Sequence, residues 1–330
     1  MAGLVVREDN GNLKWYPFFK QGTKHTFYTS KEYGHHQTGF KVGRGFHFDK
    51  YLPGYWQPVP AKEAHRRIGG GSDLVVLDDD DLKYYRFERR TFMVDDTGDK
   101  VGRGFSKEWD YYVAEWTNNG TSDLLVRDDD GHLRLFPWNG EEFKDLGGDE
   151  KVGDGFHQDK YPHIFPGYWR GKTHPDLLVR EENGDLWLYA FDGKTFKDQG
   201  KPKKLGRGFD DRFSHYFVDN WISNGTPDII VRNDDDDLIL YPYGLFDEDK
   251  DYHVFADPPY KRVGRGFKQD WKYVVGHWEK PSTPSLLVCD DNNKMRFYPF
   301  GQNGFIDLEN DEKYVGEGWD FTHFWDFYPL

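Results

Sequence analysis

One recurring position in the chain carries residue types that could perform acid–base chemistry. It stands directly before a tryptophan or phenylalanine that returns along the sequence, and its occupant changes from copy to copy. The occupants are Tyr55, Glu115, Tyr168, Asn220, His277 and Asp326. A carboxyl group and an imidazole within hydrogen-bond reach can act as general acid and base. We therefore take Glu115, His277 and Asp326 as candidate catalytic residues, and the tyrosines and the asparagine of the set as candidate ligand contacts.

A second set of residues is suited to gripping hydroxyl groups. Four arginines stand between the glycines of a repeated Gly-x-Gly-aromatic motif, and an acid takes that place in two further copies. The arginines are Arg44, Arg103, Arg207 and Arg265, and the acids are Asp154 and Glu317. Guanidinium groups donate paired hydrogen bonds, and a sugar ring can stack on an aromatic face. The arginines are candidate ligand-binding residues; the alternative is that they only form ion pairs with acidic turns nearby.

The Gly-x-Gly motif punctuates an internal repeat. Its six copies begin at residues 42, 101, 152, 205, 263 and 315, so successive copies are 59, 51, 53, 58 and 52 residues apart. This spacing is within or just above the range expected of one β-propeller blade per repeat. Glycine permits positive φ and a close approach of the chain, which gives the motif a structural explanation. We expect the aromatic residue after the glycines to pack between neighbouring blades.

Two further elements recur in step with the motif. One is a short apolar run, a polar turn and an alternating aromatic run, as in "SDLLVRDDDGHLRLFP" at 122–137, which is typical of a β-hairpin. The other is a run that ends in tryptophan, as in "YYVAEW" at 111–116. Apolar residues at helical spacing are absent from the sequence. Each repeat therefore predicts an innermost strand ending near tryptophan, a hairpin, and a short outermost strand before the Gly-x-Gly turn.

A second arginine column ends the first strand of these hairpins. Its members are Arg7, Arg127, Arg180 and Arg232, with Leu77 and Cys289 as the exceptions. So regular a position favours packing or ion pairing within the blade. The acidic turns that follow are expected on the same face of the propeller as the Gly-x-Gly crossovers.

The two ends of the chain predict how the repeats close into a ring. Residues 4–18 form a hairpin with no innermost strand before it, and residues 318–330 form an innermost strand with no hairpin after it. Pairing of the two ends completes one more blade and leaves no open edge. We predict an all-β fold with a single domain over residues 1–330. It is a six-bladed β-propeller in which residues 1–18 pair with residues near 314–328.

The repeated stretches "DLLVRDDDGHLRLFPWNG" and "DLLVREENGDLWLYAFDG" resemble the repeats of the FG-GAP/VCBS-type β-propellers, and related propellers occur in mushroom lectins. The resemblance covers the chain end to end, but its motifs specify a blade and not an activity. In that family the loop after the innermost strand often holds calcium. In this chain only the tail of the loop remains, as in "NGTSD" at 119–123, so the resemblance implies no metal site.

Composition narrows the range of partners. Aromatic residues make up 18% of the 330 residues, enough to build a large core, and the net charge of −14 disfavours nucleic acid and anionic membranes. The first ten residues have neither a basic nor an apolar leader segment, which predicts a cytoplasmic protein or one secreted without a cleaved signal peptide. The one cysteine, Cys289, allows no internal disulfide. Zinc spacing, a phosphate loop and a dinucleotide fingerprint are absent, so we expect no cofactor.

Two functions remain open from sequence. The first is a lectin-like protein that binds a glycan or another small neutral ligand in repeated pockets on the crossover face. The second is an enzyme, such as a lyase, a hydrolase or a natural-product cyclase or cycloaddition catalyst, with one site at the mouth of the central channel. The irregular column and the long insertions at 18–40 and 57–71 favour the second, because a symmetric binder needs neither. Against it, the ends of innermost strands face water and tolerate many polar residues.

Overall fold

The structure of the protein is a computed structural model. It describes residues 3–22, 24–27, 39–57, 73–88, 91–92, 98–143, 151–171, 173–196, 202–247, 252–255, 261–280, 282–308, 313–319 and 324–329. Most of the two long insertions lies outside these residues. No helix within the described ranges has the length and apolar character needed to cross a membrane.

The strands form six antiparallel sheets, which are the blades of the propeller, and in each blade the first strand named is the innermost and the last is the outermost. Blade 1 has β30 (Phe324–Pro329), β1 (Gly3–Glu8), β2 (Leu13–Gln21) and β4 (Phe40–Gly43). Blade 2 has β5 (Lys50–Gly54), β6 (Asp73–Asp78), β7 (Asp81–Tyr85) and β10 (Asp99–Arg103). Blade 3 has β11 (Asp110–Ala114), β12 (Asp123–Arg127), β13 (Leu133–Phe136) and β14 (Lys151–Gly153).

The other three blades repeat the pattern. Blade 4 has β15 (His163–Gly167), β16 (Asp176–Arg180), β17 (Leu186–Tyr189) and β18 (Lys203–Gly206). Blade 5 has β19 (Phe213–Asp219), β20 (Asp228–Asn233), β21 (Asp237–Tyr241) and β24 (Lys261–Arg265). Blade 6 has β25 (Lys272–Lys280), β26 (Thr283–Cys289), β27 (Lys294–Gly301) and β29 (Tyr314–Glu317). Short hairpin strands extend four blades: β3 (Lys24–Phe27), β8 (Phe87–Glu88) with β9 (Thr91–Phe92), β22 (Tyr243–Asp247) with β23 (Tyr252–Phe255), and β28 (Gly304–Phe305).

The two ends of the chain meet in blade 1. Strand β1 pairs with β30 in antiparallel register, so that Val5 lies opposite Tyr328 and Arg7 lies opposite Asp326. Strand β1 also pairs with β2 on its other side. The predicted closure of residues 1–18 with the C-terminal strand is thereby confirmed, and with it the six-bladed propeller.

The core of the molecule lies between the blades. Six clusters of buried apolar side chains each combine residues of two neighbouring blades. Blade 1, for example, packs Val5 against Leu74 of blade 2 on one side and Val6 against Leu287 of blade 6 on the other. Because a second strand is flanked by strands of its own sheet and by both neighbouring blades, it reads as an apolar run and not as an alternating one. Strand β12 is buried at all five positions.

The Gly-x-Gly motif needs each glycine for a different reason. The second glycine is left-handed, as at Gly45 with φ of 79°. At the first, Gly43, a Cβ atom would lie 2.6 Å from the ring of Phe46, so the chain passes directly beneath that ring. Phe46 is buried between blades 1 and 2, which confirms the packing predicted for the aromatic residue. The second glycine of the other five copies is left-handed as well: Gly104, Gly155, Gly208, Gly266 and Gly318.

Candidate functional site

The propeller has two faces, and backbone hydrogen bonds define one of them. The amide of Phe46, in the crossover after blade 1, donates to the carbonyl of Gly11 in the turn between the second and third strands at 2.8 Å. Phe156 and Gly131 form the same bond in blade 3, also at 2.8 Å. These turns and the Gly-x-Gly crossovers therefore share one face, as predicted, which we call the crossover face. The opposite face, where the innermost strands end, is called the loop face.

The four candidate arginines lie on the crossover face with their side chains exposed: Arg44, Arg103, Arg207 and Arg265. Arg103 is near two acids of its blade, with its Nε 4.0 Å from Asp80 and 3.7 Å from Asp81. Its side chain is 74% exposed, so both contacts are weak in water. The tips of the acidic turns, such as Asp80 and Asp129, are exposed beside them. The crossover face thus presents a repeated ring of exposed guanidinium and carboxylate groups.

The acids at the base of these turns have a partner that sequence reasoning missed. Each contacts a residue near the start of the third strand in the same blade: Lys14 Nζ lies 2.5 Å from Glu8, and Arg134 Nε lies 2.9 Å from Asp128. In blade 4 a tryptophan replaces the cation, and Trp187 donates to Glu181 at 2.9 Å. The remaining such pairs are Lys83 with Asp78 and Arg296 with Asp290. These cations could have been recognised in the sequence. The third strand alternates in character, and each cation stands two residues from an aromatic residue.

The second arginine column is structural, as predicted. Arg127, Arg180 and Arg232 are between 3% and 4% exposed, and each donates to a carbonyl of the following crossover. Arg127 reaches the carbonyl of Tyr161 at 2.6 Å and Asp110 at 2.8 Å. The buried guanidinium groups therefore hold the crossovers in place.

The irregular column lies on the loop face, at the opposite end of the innermost strands from the exposed arginines. Glu115 is only 6% exposed, and its carboxylate accepts the amide of Gly120 at 2.7 Å. Asn220 accepts the amide of Gly225 in the same way at 3.3 Å. Both side chains therefore shape the loop that follows the innermost strand. Tyr55 is half-buried and Tyr168 is buried, and both lie at the loop face. The motif arginines lie on the opposite face, so neither tyrosine shares a site with them.

His277 keeps access to solvent and gains a partner in the next blade. Its Nε2 lies 3.3 Å from a carboxylate oxygen of Asp219, with side chains 40% and 22% exposed. The hydrogen bond to Asp219 raises the pKa of His277 above its ordinary value, against the opposing effect of burial. Asp219 is the residue before Asn220. The sequence repeat did not indicate it as a candidate, because other residue types occupy its position in the other blades.

Asp326 is a correction to the predicted column. Its strand is in register with Arg7, just as Asp110 is in register with Arg127. Asp326 therefore stands at the crossover end of its strand and not beside Glu115 or His277. The misalignment arose because Phe327 was equated with the loop-face tryptophans, whereas it lies opposite Val6 within the strand.

A buried aspartate opens the second strand in four blades, and sequence reasoning gave it no role. The four are Asp73, Asp123, Asp176 and Asp228. Asp123 is fully buried and accepts the amides of Thr117 at 2.8 Å and Trp138 at 2.9 Å, which joins the loop after the innermost strand to the segment after the third. Burial raises its pKa to about 6. The repeated Asp before the apolar run was the available signal.

The oxygens of the calcium-like loop are used in its own hydrogen bonds. Asn119 Oδ1 accepts the amide and hydroxyl of Thr121 at 2.9 and 2.7 Å, and Asp123 accepts the hydroxyl of Thr117 at 2.9 Å. Elsewhere, Asp128, Asp130 and His132 place possible metal ligands within 4.8 Å of one another. Lys151 Nζ lies 2.7 Å from His132 Nε2, so a cationic group already stands at that cluster.

Known proteins resemble the chain in fold. No family model and no curated protein sequence matches it. One similar solved structure is an Agrocybe aegerita lectin that specifically recognises non-reducing terminal N-acetylglucosamine, with a TM-score of 0.55 and 15% identity over 94% of this chain and 77% of that one. Another is the Photorhabdus luminescens Tc holotoxin pore, with a TM-score of 0.52 and 12% identity over 98% of this chain and 14% of that one. The shared feature is the fold. At these identities the likeness carries nothing further.

Proposed function

We propose that the protein is a lectin-like propeller that binds glycans through repeated sites on its crossover face. The observation that carries the proposal is the set of exposed arginines at equivalent positions of four blades, of which Arg103 lies within 4.0 Å of the turn acids Asp80 and Asp81. Guanidinium and carboxylate groups together can donate to and accept from adjacent sugar hydroxyls. A lectin that recognises terminal N-acetylglucosamine shares this fold, so the fold itself is compatible with a glycan ligand.

The buried parts of the crossover face support this proposal because they keep the exposed parts fixed. Each motif arginine follows a glycine that packs under a buried ring, and the crossover is held by backbone bonds to the turn of its own blade. A rigid scaffold lowers the conformational entropy that binding must remove. Four similar sites on one molecule would also give avidity for a surface that displays many glycans.

The test is a glycan array followed by calorimetry. We expect binding of neutral glycans with more than one ligand per chain, and agglutination of cells or beads that display the bound sugar. Arg265→Ala should remove one site from the stoichiometry. Arg262→Ala is the matched control, because Arg262 carries the same charge on the same strand but pairs with Asp237 at 3.0 Å. An array without hits, together with absent agglutination, contradicts the proposal.

A second candidate function is an enzyme with one site at the loop-face mouth of the channel. It is favoured by the His277–Asp219 pair, an imidazole and a carboxylate from different blades that meet where the innermost strands end. Such a pair can relay a proton. One ligand per chain, together with turnover that His277→Ala abolishes and Lys280→Ala retains, would select this function over the lectin.

A further inference from the structure

Blade 3 departs from the repeat at a contact between the start of the third strand and the outermost strand. In three other blades this contact joins a cation to a carboxylate: Lys100 with Asp81 at 2.6 Å, Lys204 with Asp185 at 2.6 Å, and Arg262 with Asp237 at 3.0 Å. In blade 3 a histidine takes the place of the carboxylate, and Lys151 Nζ lies 2.7 Å from His132 Nε2. Each of the four cations is in register with the residue two places after its partner. Blade 3 therefore pairs the equivalent lysine with a ring that can accept a proton.

The residue between the glycines of the motif differs in blade 3 as well. In blade 2, Arg103 Nε lies 3.7 Å from Asp81, whereas in blade 3, Asp154 Oδ1 lies 3.6 Å from His132 Nε2. Both members of this contact have been exchanged, so that an imidazole replaces an acid and an acid replaces an arginine. A carboxylate beside an imidazole stabilises the charged ring that forms when the imidazole accepts a proton.

The contacts of His132 fix the tautomer of its neutral ring. Its Nδ1 lies 3.2 Å from Asp128 Oδ2, and because an ionised carboxylate only accepts hydrogen bonds, the ring proton is on Nδ1. Nε2 is then unprotonated and accepts a hydrogen bond from Lys151 Nζ. A proton on Nε2 would face the donor protons of the lysine at 2.7 Å, so this contact requires the neutral ring.

Asp128 is held in a position from which it orients this ring. Its side chain is 7% exposed, and it accepts the backbone amide of His132 at 2.9 Å and Arg134 Nε at 2.9 Å. Burial raises the pKa of Asp128, but these hydrogen bonds outweigh burial, so the pKa lies below its ordinary value and the carboxyl stays ionised at neutral pH. Lys151, by contrast, is exposed to solvent. A nucleophile within hydrogen-bond reach of a base that a third group orients is the arrangement used in nucleophilic catalysis.

We propose that Asp128, His132 and Lys151 act as a triad and that Lys151 takes an acyl group from a neutral thioester. Lys151 Nζ transfers a proton to His132 Nε2, and its lone pair attacks the carbonyl carbon of the thioester. The C–N bond forms and the C–S bond breaks; the thiolate takes the proton from His132, and a second proton leaves the nitrogen for water. The exposed carboxylates of Asp130 and Asp154 disfavour an anionic donor such as an acyl phosphate. The product is a stable amide, so the triad defines a modification site, separate from the four motif arginines of the proposed glycan sites.

The experiment incubates the protein with the acetyl thioester of N-acetylcysteamine and follows the acetylation of individual lysines by peptide mass spectrometry. Lys100 and Lys204 are internal controls, because they occupy the same register position and their side chains are 46% and 39% exposed. We expect Lys151 to be acetylated about 100-fold faster than either control, at the lower end of what a positioned general base contributes. Acetyl phosphate, as an anionic donor, should acetylate Lys151 more slowly than the thioester does.

Variants of the base separate proton transfer from simple exposure of the lysine. His132→Asp reproduces the contact of blades 2 and 4 and should lower the acetylation rate of Lys151 to that of Lys100. His132→Gln keeps a hydrogen-bond acceptor but cannot take the proton, so it should lower the rate as well. Asp128→Asn should lower the rate at Lys151 alone, and Asp128→Glu should restore part of it.

Unchanged rates at Lys100 and Lys204 in each variant show that the fold is intact. Equal acetylation of Lys151 and these two controls overturns the proposal. A fast Lys151 in the His132→Gln protein also overturns it, because the ring would then not be the base. Faster reaction with acetyl phosphate than with the thioester would contradict the neutral donor. Glycan binding should persist in His132→Gln, so failure of the triad is distinguishable from failure of the lectin proposal.

Discussion

The two ends of the second strand carry opposite charges in equivalent structural roles. In blade 3, Asp123 opens the strand and accepts amide groups of the loop face, while Arg127 closes it and donates to a carbonyl of the crossover face. Both side chains are buried, and each satisfies backbone groups that no strand partner reaches. The two side chains differ in the groups that surround them. Arg127 has a carboxylate beside it, whereas Asp123 is surrounded by neutral donors, so burial raises its pKa.

This comparison shows that the two faces differ in how their charged groups are used. At the arginine end, the buried guanidinium groups bind carbonyl groups of the crossovers. The crossovers that carry the exposed motif arginines are therefore held in place. At the aspartate end, Asp123 of blade 3 holds its loop through neutral groups, whereas Asp176 of blade 4 also binds Arg170 at 2.9 Å. Blades 1 and 6 depart from the pattern, since Gly3 and Ser285 stand where the other blades have aspartate. The loop face is therefore least regular around the closing blade.

The largest effect is expected from removing the strand that closes the ring. A protein without residues 324–330 loses β30, which leaves β1 as an open edge and exposes the seams of blade 1. We expect the single cooperative unfolding transition to be lost or strongly broadened in calorimetry. Removal of residues 1–2, which precede β1, is the control and should leave the transition intact. Unchanged melting of the C-terminal truncation would show that closure does not matter.

Stability should depend more on the arginine end of the second strand than on its aspartate end. Arg180→Met leaves the carbonyl of Phe209 without its buried donor and Asp211 without its partner. We expect a loss of about 3 kcal/mol in the free energy of unfolding, the upper end of the cost of a buried carbonyl that loses a charged donor, because Asp211 itself is exposed and adds little. Arg207→Met, on the exposed motif position of the same blade, should cost less than about 0.5 kcal/mol. Urea denaturation of both variants measures the difference, and similar midpoints would contradict it.

The next largest loss of stability is expected at the aspartate end of the second strand. Asp123→Ala leaves the amides of Thr117 and Trp138 without an acceptor in a buried place, which costs about 2 kcal/mol. Asp129→Ala, on the exposed tip of the turn in the same blade, is the control. If Asp123→Ala lowers stability no more than Asp129→Ala, the aspartate column is not structural.

Sequence reasoning predicted most of this fold because each repeat states the same pattern. The strands, the Gly-x-Gly crossovers and the closure by the two ends were all confirmed. The candidate sites fared differently, because a position in a repeat fixes the strand a residue occupies but not what it touches. Glu115 turned out to cap its own loop. Asp326 was placed at the wrong end of its strand, since only the pairing register distinguishes Phe327 from a loop-face tryptophan.

The pH dependence of stability should differ between the ends of the strand. Burial raises the pKa of Asp123 and Asp228 from 3.8 to about 6, so the folded state binds more protons between these values. Their contribution to stability is therefore present below about pH 4 and is lost as pH rises through about 6. Each carboxyl should lower stability by about 1 kcal/mol between pH 5 and pH 7.

The check is a comparison of urea midpoints across that range. The double variant Asp123→Asn with Asp228→Asn should flatten the decline, whatever its overall stability. Asp128→Asn is the contrasting control. Burial opposes the charge of Asp128, but hydrogen bonds from His132 and Arg134 outweigh it and lower the pKa, so that group stabilises above its ordinary pKa and loses its effect as pH falls. A double variant with the same slope as the wild type would mean that these buried carboxyls do not titrate as stated.

The smallest effect on stability is expected at Arg44, the motif arginine of blade 1. Its side chain is exposed on the crossover face, above a crossover that the backbone bond from Phe46 to Gly11 already holds. Arg44→Ala should therefore change the free energy of unfolding by less than about 0.5 kcal/mol. The same change should remove a glycan site if the lectin proposal is right, so stability and binding separate in one variant. A loss of stability near that of Arg180→Met would instead place Arg44 among the structural arginines, and its exposure would then have no bearing on ligand recognition.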